Sequence, residues 1–357
     1  MIVRGRKGIE KAIQSLERGS IIAFPTDTIY GIGCCAYKVE SIDQIYRIKR
    51  RTRDKPLILF IKERKEVEKY CFVSAIGKKL IDKFWPGALT LVFKAKADAP
   101  WTAANGTLGV RIPNNDIILE ILSKYGKPLA TTSANYEGVP VFSSAQEIED
   151  AFGKEIGVVV DGGVCRENIP STVLDVSSHT AKLLRKGKVG IIEIESEIGS
   201  TVKLANGISF AVLFVCTANV GRSPMAAGIL KNEFSEKNVE VTSCGINASY
   251  GAKPEADAVT VMNEIGIDIS AHKARILSLK AVREADLILV MEHRHKERVL
   301  EVDPTASSKV WLLGSLTRKK QTEIDDPIGR GKKAYKKCRD TIKENIEVLV
   351  QDIKRRF

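Results

Sequence analysis

The sequence contains no apolar run of the length that a transmembrane helix requires. Its first residues, MIVRGRKGIEKAIQ, are too polar for a signal-peptide core, so we expect a cytoplasmic protein with no membrane partner. The seven cysteines are odd in number and lack the spacing of a disulfide framework, which favours free thiols. Because no Cys/His cluster has the spacing of a zinc site either, we predict no metal-binding site.

Positive charge is in excess, with a formal net charge of +12 over 357 residues. Such an excess favours polyanionic ligands such as nucleotides, phosphoesters or nucleic acid, although lysines and arginines spread over many helices also serve solubility. The length is too great for one ordinary core, so we expect two domains.

Strand and helix patterns alternate along the chain in two separate series. The first extends from GIEKAIQSLERG to AKLLRKG, and the second extends from FAVLFV to a C-terminal helix. Between them, ESEIGSTVKLANGIS contains Gly and Ser and has no strong period. We therefore predict an α/β protein: a twisted-sheet domain at 1–196, a linker at 197–208, and a small doubly wound domain with a four-stranded parallel sheet at 209–357.

The stretch VLFVCTANVGRSPM places Cys216 at the end of an apolar strand and Arg222 just before a helix that starts near Ser223. Backbone N–H groups of such a loop converge on an anion, and the helix dipole adds positive potential that stabilises a thiolate. The planar fork of Arg222 can bind two phosphate oxygens at once.

A proton donor is also needed, and EIDDPIG offers one far downstream. Asp326 precedes a proline that stiffens the loop, and Asp325 is the neighbouring rival. A buried structural thiol is the alternative for Cys216, but the strand, the Ser-Pro helix start and the Asp-Pro together favour catalysis.

From about residue 210 to its end, the chain resembles the low-molecular-weight protein-tyrosine phosphatases, whose signature is V-C-x5-R-S-P. The segments TSCG, GIDISAHKAR, ADLILVM and DPIG occur in the family's order. The resemblance implies that Cys216 is the nucleophile, Arg222 binds phosphate and Asp326 is the general acid, acting on a phosphoprotein without a cofactor. It also implies four polar residues that support the loop: Asn219, Ser223, Ser243 and His272.

Two departures from the family pattern bear on regulation and substrate. Gly221 stands where many members have a second cysteine, so redox switching through that pair is not expected. Ile328 and Gly329 follow the Asp-Pro where tyrosine-directed members often have aromatic residues, which resembles the bacterial protein-arginine phosphatases. Val220, in contrast, resembles the tyrosine type. Phosphotyrosine is the preferred substrate and phosphoarginine the alternative.

In the first half, AFPTDTIYGIG ends a strand in hydroxyl groups and glycines, and IYRIKRRTRDKPLILFI follows with six basic residues between Arg47 and Lys55. A basic cluster beside a Thr/Gly-rich turn suits a polyphosphate, although a solvated helix end would look the same. No Walker loop or dinucleotide fingerprint is present.

Together with GVRIP, TTSAN, PSTVLD and LLRKG, these segments resemble the YrdC-like threonylcarbamoyl-AMP synthases over about residues 6 to 195. The resemblance implies condensation of L-threonine, bicarbonate and ATP, with Mg²⁺, to threonylcarbamoyl-AMP for tRNA modification. The implied ATP contacts are Arg51, Lys55, Ser133 and Arg185. The implied threonine-side contacts are Thr28, Arg111, Thr131 and Ser171. LRKG, where Arg-Pro-Gly is usual, and TTSAN, where small apolar residues usually precede Ser-Ala-Asn, are atypical.

Two other functions for the first half stay open. It could be a nucleotide-binding or double-stranded-RNA-binding module, with tRNA or the tRNA threonylcarbamoyl-transfer machinery as partner. It could also be a degenerate domain that only delivers the phosphatase. A bifunctional enzyme is the preferred prediction.

Overall fold

The computed structural model describes residues 1–357 except 54, 98, 100, 166–167, 235–237, 318–319 and 321. Two compact units are present: Met1–Val189 with Ser196–Val202, and Gly190–Glu195 with Lys203–Phe357. Within the described residues, no helix combines the length and apolarity needed to cross a bilayer. All seven cysteines are unpaired.

The first unit is a mixed sheet with helices packed on it. Its strands are β1 Ile2–Arg4, β2 Ile22–Phe24, β3 Gly31–Cys35, β4 Ile58–Phe60, β5 Cys71–Phe72, β6 Leu89–Ala95, β7 Thr107–Arg111, β8 Leu129–Ser133, β9 Val158–Asp161, β10 Thr172–Asp175 and β11 Lys182–Arg185. Its helices are α1 Gly5–Glu17, α2 Val39–Ile48, α3 Val67–Tyr70, α4 Ala75–Phe84, α5 Asp116–Tyr125 and α6 Ala145–Phe152. Helix α7, Ile191–Ile198, follows.

The strand order in this unit is β1-β9-β2-β3-β8-β4-β7-β6-β10-β11, with β5 on β6. Strands β1, β2 and β9 are parallel, as are β4 with β7 and β6 with β10, while β3 and β8 are antiparallel to their neighbours. Buried aliphatic residues of α1, α5 and β9, with Phe24 and Phe60, form one core beneath this sheet. The segments STVLDV and AKLLRKG form the antiparallel pair β10 and β11.

The second unit has the four-stranded parallel sheet that the sequence predicts. The strands of this sheet are β13 Phe210–Cys216, β14 Val239–Gly245, β15 Leu287–Val290 and β16 Val310–Leu312. The short strand β12, Lys203–Leu204, lies outside it. The helices of this unit are α8 Arg222–Glu233, α9 Ala256–Asn263, α10 Leu279–Glu284, α11 His293–Val302 and α12 Gly331–Lys354. The sheet order is β14-β13-β15-β16, and every neighbouring pair is parallel.

Residues 197–208, the expected linker, contain local structure. Helix α7 continues to Ile198, and Gly199 follows it with φ +71°, the left-handed conformation in which helices commonly end. Strand β12 then occupies Lys203–Leu204. The apolar period of IIEIESEI extends the helix into the first four residues of the weakly patterned segment that suggested a linker.

Candidate active sites

Cys216 lies at the carboxyl end of β13, the strand flanked by parallel neighbours on both sides. Its sulfur is buried and lies 2.9 Å from Ser223 Oγ and 3.3 Å from the backbone N of Asn219, which donates to it. Gly245 on the next strand permits the curl of the loop, since a Cβ there would lie 2.5 Å from the carbonyl oxygen of Thr217. The sulfur therefore contacts one hydroxyl group and one backbone amide from the segment that follows β13.

Asn219 is the centre of the hydrogen bonds that hold this loop. It has φ +58°, and its Nδ2 donates to Ser223 Oγ and Ser243 Oγ, both at 2.9 Å. Its Oδ1 accepts from the backbone N of Arg275 at 2.8 Å, and its carbonyl oxygen lies 2.9 Å from His272 Nε2. The four residues that the sequence suggested as loop support are therefore joined in one network.

Arg222 begins α8 with a guanidinium that is almost fully buried. It donates to the carbonyl oxygen of Ile324 at 2.8 Å and forms ion pairs with Glu292 and Asp326. Of the two aspartates in EIDDPIG, Asp326 is half-buried and pairs with Arg222, while Asp325 is exposed. The three residues implied to be catalytic thus surround one end of β13.

Four further residues reach this site that the sequence reading did not single out. Thr217 Oγ1 lies 2.9 Å from His295 Nε2 and accepts from Arg294 at 3.0 Å and from Arg222 at 3.3 Å. Glu292 follows β15, whose carboxyl end lies beside that of β13, so sheet topology is the signal that could have found it.

The electrostatics of these residues differ from those of free side chains. Burial would raise the pKa of Glu292, but hydrogen bonds from Arg294 and Arg222 outweigh it and lower that pKa to about 2. Burial lowers the pKa of His295 to about 4, and Glu292 only partly opposes this. At neutral pH the site therefore holds a carboxylate and an uncharged imidazole beside the guanidinium.

A cavity in the first unit collects most of the other predicted residues. Its lining includes seven residues from TTSAN, the basic segment and the later strands: Arg51, Arg111, Thr131, Thr132, Ser133, Ser171 and Arg185. Burial, aided by Arg51, lowers the pKa of Arg185. Guanidinium groups close enough to disfavour each other's charge suit an anionic ligand such as a polyphosphate.

Arg111 is fixed by three kinds of acceptor. Its Nε donates to the carbonyl oxygen of Gly87 at 2.8 Å, and its two terminal nitrogens reach Thr28 Oγ1 at 3.1 Å and Asp27 at 2.5 Å. Burial lowers its pKa to about 10 despite Asp27. The predicted threonine-side residues Thr28 and Arg111 are thus in direct contact.

Arg185 forms hydrogen bonds with Ser171, and both residues line this cavity. It donates to the carbonyl oxygen of Ser171 at 2.8 and 3.1 Å and to Ser171 Oγ at 3.0 Å. Arg51 donates to Thr132 Oγ1 at 3.0 Å. Thr131 lines the cavity, but its hydroxyl donates to the carbonyl oxygen of Ile58 at 2.8 Å.

Of the basic residues, the sequence implied Lys55 as an ATP contact, but the structure buries Lys49 and leaves Lys55 at the surface. Lys55 is exposed, pairs with Glu137 and is not among the residues that line the cavity. Lys49 is buried, and its Nζ donates to the carbonyl oxygens of Ser133 and Asn135 at 2.5 and 2.7 Å. Burial lowers its pKa to about 7, an effect that Arg51 reinforces. Within a run of six basic residues, burial alone distinguishes Lys49.

Comparisons with known proteins divide the chain at the same place. Residues 14–187 match the Sua5/YciO/YrdC family model, described as telomere recombination, and residues 211–357 match the model of low molecular weight phosphotyrosine protein phosphatases. A Methanocaldococcus jannaschii protein assigned to the threonylcarbamoyl-AMP synthases is 36% identical over 186 residues, which cover 52% of this chain and 88% of that protein.

One further relative and two solved structures are also similar to parts of this chain. The threonylcarbamoyl-AMP synthase of Pyrococcus abyssi is 33% identical over 207 residues, and the aligned part spans 56% of this chain and 61% of that relative's length. A solved structure of P. abyssi Sua5 aligns with a TM-score of 0.56 at 24% identity, over 87% of this chain and 98% of that one. A T. tengcongensis low molecular weight protein tyrosine phosphatase structure is 34% identical, covers 40% of this chain and 99% of its own, and has a TM-score of 0.38.

Proposed function

The chain belongs over its first half to the threonylcarbamoyl-AMP synthase family and carries a low molecular weight phosphotyrosine protein phosphatase domain in its second half, and from that premise we propose that one polypeptide catalyses both reactions. The observation that carries the second activity is the convergence of Cys216, Arg222 and Asp326 at the end of β13. The observation that carries the first is the cavity lined by Arg51, Arg111 and Arg185.

In the first reaction, the amine of L-threonine forms a bond to the carbon of bicarbonate, a C–O bond of bicarbonate breaks, and water leaves to give a carbamate. A carbamate oxygen then attacks the α-phosphorus of ATP, and the bond to the leaving pyrophosphate breaks. Arg51, Ser133 and Arg185 would bind the nucleotide, with Mg²⁺ entering as part of the ATP substrate, while Thr28, Arg111 and Ser171 would position threonine. Such a step depends mainly on positioning and charge neutralisation.

The three-way contact of Arg185 with Ser171 supports this assignment, because it links the nucleotide side of the cavity to the threonine side. Lys55 would reach a nucleotide only after leaving Glu137. Threonylcarbamoyl-AMP is the donor for threonylcarbamoyladenosine in tRNA, so the partner of this half is the machinery that transfers the group.

In the second reaction, the thiolate of Cys216 attacks phosphorus and the bond to the leaving oxygen or nitrogen breaks. Asp326 gives its proton to that atom, and a cysteinyl-phosphate forms. Asp326 then takes a proton from water, whose oxygen attacks phosphorus and releases the thiolate and inorganic phosphate. Arg222 would bind the equatorial oxygens through both steps.

Arg222 forms an ion pair with Asp326, which connects the proposed phosphate-binding group to the proposed proton donor. Because Arg222 would bind the phosphate, this contact would place the Asp326 carboxyl group beside the bond that breaks. Glu292 keeps its contact with Arg222 and with Arg294, and so orients the guanidinium throughout.

Phosphotyrosine is the substrate we propose, with phosphoarginine as the alternative. Val220 favours the first, whereas Ile328, which is half-exposed after the Asp-Pro, favours the second. Assaying phosphotyrosine and phosphoarginine peptides side by side decides between them, because the preferred one should show a kcat/KM higher by roughly tenfold or more.

The decisive experiment assays one purified sample in two ways. Pyrophosphate release should require threonine, bicarbonate and ATP together, and it should be unchanged in Cys216→Ser. Hydrolysis of an aryl phosphate should be abolished in Cys216→Ser and reduced about 100-fold or more in Asp326→Asn. Asp325→Asn is the matched control and should retain its hydrolytic activity. Hydrolysis that survives Cys216→Ser refutes the mechanism.

A non-catalytic first half makes a different prediction. A domain that only binds double-stranded RNA should retain it in a salt-sensitive way and release no pyrophosphate from ATP. Loss of pyrophosphate release in Arg51→Gln, with RNA retention unaltered, supports the synthase instead.

A further inference from the structure

A cleft of about 760 Å³ in the second unit does not open onto the proposed catalytic residues. Its walls come from α8, the end of β14, the loop around Tyr250 and residues 268–275, and its lining includes none of Cys216, Arg222 and Asp326. The volume lies within the range of about 300 to 1,000 Å³ that small-molecule sites occupy.

Three exposed cationic side chains line this cleft: Lys231, Lys273 and Arg275. Over the described part of the chain, none of the three makes a side-chain hydrogen bond or an ion pair. The acid in the lining, Asp268, accepts a hydrogen bond from the backbone N of Ser270 at 2.8 Å. The lining therefore carries three cations and one acid, an excess of positive charge, and among the described residues none of the three cations is held in an ion pair.

Two of these cations, Arg275 and Lys231, act electrostatically on a residue that contacts the phosphate loop. His272 lines the cleft, and its Nε2 lies 2.9 Å from the carbonyl oxygen of Asn219. Burial lowers the pKa of His272, and Arg275 and Lys231 lower it further. Ser243 also lines the cleft while accepting from Asn219 Nδ2 at 2.9 Å. Anything that neutralises the cations therefore acts on the hydrogen bonds of Asn219.

We propose that this cleft is a second anion site for a polyphosphate group, whether of ATP or of free pyrophosphate, and that its occupant tightens the phosphate loop through His272. A single phosphate would leave much of the volume and part of the charge unused. Tyr250, 88% exposed, offers a ring on which a nucleotide base could stack. The regulatory part rests on the phosphatase function proposed for the Cys216 loop.

The binding step is tested by histidine NMR on the full chain, with the His272 signal assigned from its loss in His272→Gln. Pyrophosphate should raise the pKa of His272 because it cancels the field of the two nearby cations. In Lys231→Gln/Lys273→Gln the apparent affinity should fall about tenfold or more. Lys343→Gln/Lys354→Gln, which removes two exposed lysines from α12, is the control and should titrate like the wild type.

Comparing ATP with pyrophosphate in this titration separates the two sources. Tighter binding of ATP identifies a nucleotide site that uses Tyr250, and equal binding identifies a pyrophosphate site. An unchanged pKa of His272 with both probes overturns the proposal. So does a rise that persists undiminished in Lys231→Gln/Lys273→Gln, because the anion would then act from the Cys216 loop.

Kinetics of aryl phosphate hydrolysis test the coupling. Pyrophosphate in the Cys216 loop inhibits competitively in every variant, whereas pyrophosphate in the cleft should change kcat in the wild type and not in Lys231→Gln/Lys273→Gln. Purely competitive behaviour in both proteins overturns the coupling. If no hydrolysis occurs at all while the pKa of His272 still rises, the anion site stands and the proposed phosphatase function fails.

Discussion

His295 is fully buried, and a single proton position satisfies its neighbours. Thr217 Oγ1 accepts from both Arg222 and Arg294, so its own hydrogen points at His295 Nε2. The ring is then neutral with its proton on Nδ1, an atom that has no partner among the described residues. If Nε2 were protonated, its N–H and the O–H of Thr217 would both be donors and would point at each other.

We predict that this arrangement makes the second unit sensitive to mild acid. The pKa of His295 is about 4 in the folded protein and ~6.5 when unfolded, so the unfolded state binds a proton first as pH falls. The free energy of unfolding should be undiminished above pH ~6.5 and fall by up to about 1.4 kcal/mol per pH unit down to pH ~4.

Urea unfolding at several pH values, in wild type and His295→Asn, measures this. The free energy of unfolding should depend less on pH in His295→Asn than in the wild type. His293→Asn, which alters an exposed neighbour, should show the same pH dependence as the wild type. Parallel curves for all three proteins would contradict the assignment.

Arg111 supports a second prediction, on binding. A lysine at this position cannot reach Gly87, Thr28 and Asp27 together, because its ammonium is a point charge without a planar fork. Arg111→Lys should raise the KM for threonine by about tenfold or more and change the KM for ATP far less. Pyrophosphate release at varied threonine measures it, with the exposed Arg4→Lys as control. Equal rises in both KM values would argue against a threonine-side role.

At the scale of the element, the strand-loop-helix unit from β13 to α8 concentrates the chemistry. Its strand is buried between parallel neighbours, so its carboxyl end is fixed, and the loop must close within a few residues. Asn219 achieves this in the left-handed conformation, where asparagine is tolerated better than most residues. The loop's shape therefore depends on one side chain that also makes three hydrogen bonds.

Asn219→Ala should consequently reduce phosphatase kcat/KM by roughly 100-fold while leaving the Cys216 thiol in place. Asn168→Ala is a matched control, because Asn168 also has a positive φ (47°) and lies in the first unit. That control should lower the stability of the first unit and keep full phosphatase activity. Comparable losses of phosphatase activity in both variants would show that the loss in Asn219→Ala does not come from the hydrogen bonds of the Asn219 side chain.

At the scale of the whole molecule, chain order and unit membership differ. Residues Gly190–Glu195 belong with the second unit although the first unit resumes after them. Arg356 connects residues Gly190–Glu195 to the rest of the second unit. It is almost fully buried, pairs with Glu195 and Asp352, and lies 4.5 Å over the ring of Phe210. Removing one partner of a buried pair leaves an uncompensated charge.

Glu195→Gln should therefore destabilise the second unit by about 3 kcal/mol. Heating should abolish phosphatase activity at a lower temperature than in the wild type, with pyrophosphate release less affected. Glu197→Gln, two residues on and outside this pair, is the control. An unaltered inactivation temperature in Glu195→Gln would show that Asp352 alone compensates Arg356.

Much of this architecture could be predicted from the sequence because its signals are local. Apolar strands followed by helices predicted both α/β units, and the four-stranded parallel sheet is confirmed. The loop from Cys216 to Arg222 and its four supporting residues could be predicted because they lie in short segments with recognisable residue patterns. The predicted resemblance of the two halves to two families is confirmed by the family models that match residues 14–187 and 211–357.

Only the tertiary structure decided what surrounds those segments. Glu292 pairs with Arg222, and His295 contacts Thr217, because β15 lies beside β13. Lys49 differs from Lys55 because Lys49 is buried and Lys55 is paired at the surface. Local pattern sets which elements form and which face is apolar. Burial and electrostatic partners depend on contacts between residues far apart in sequence, and these exist only once the chain has folded.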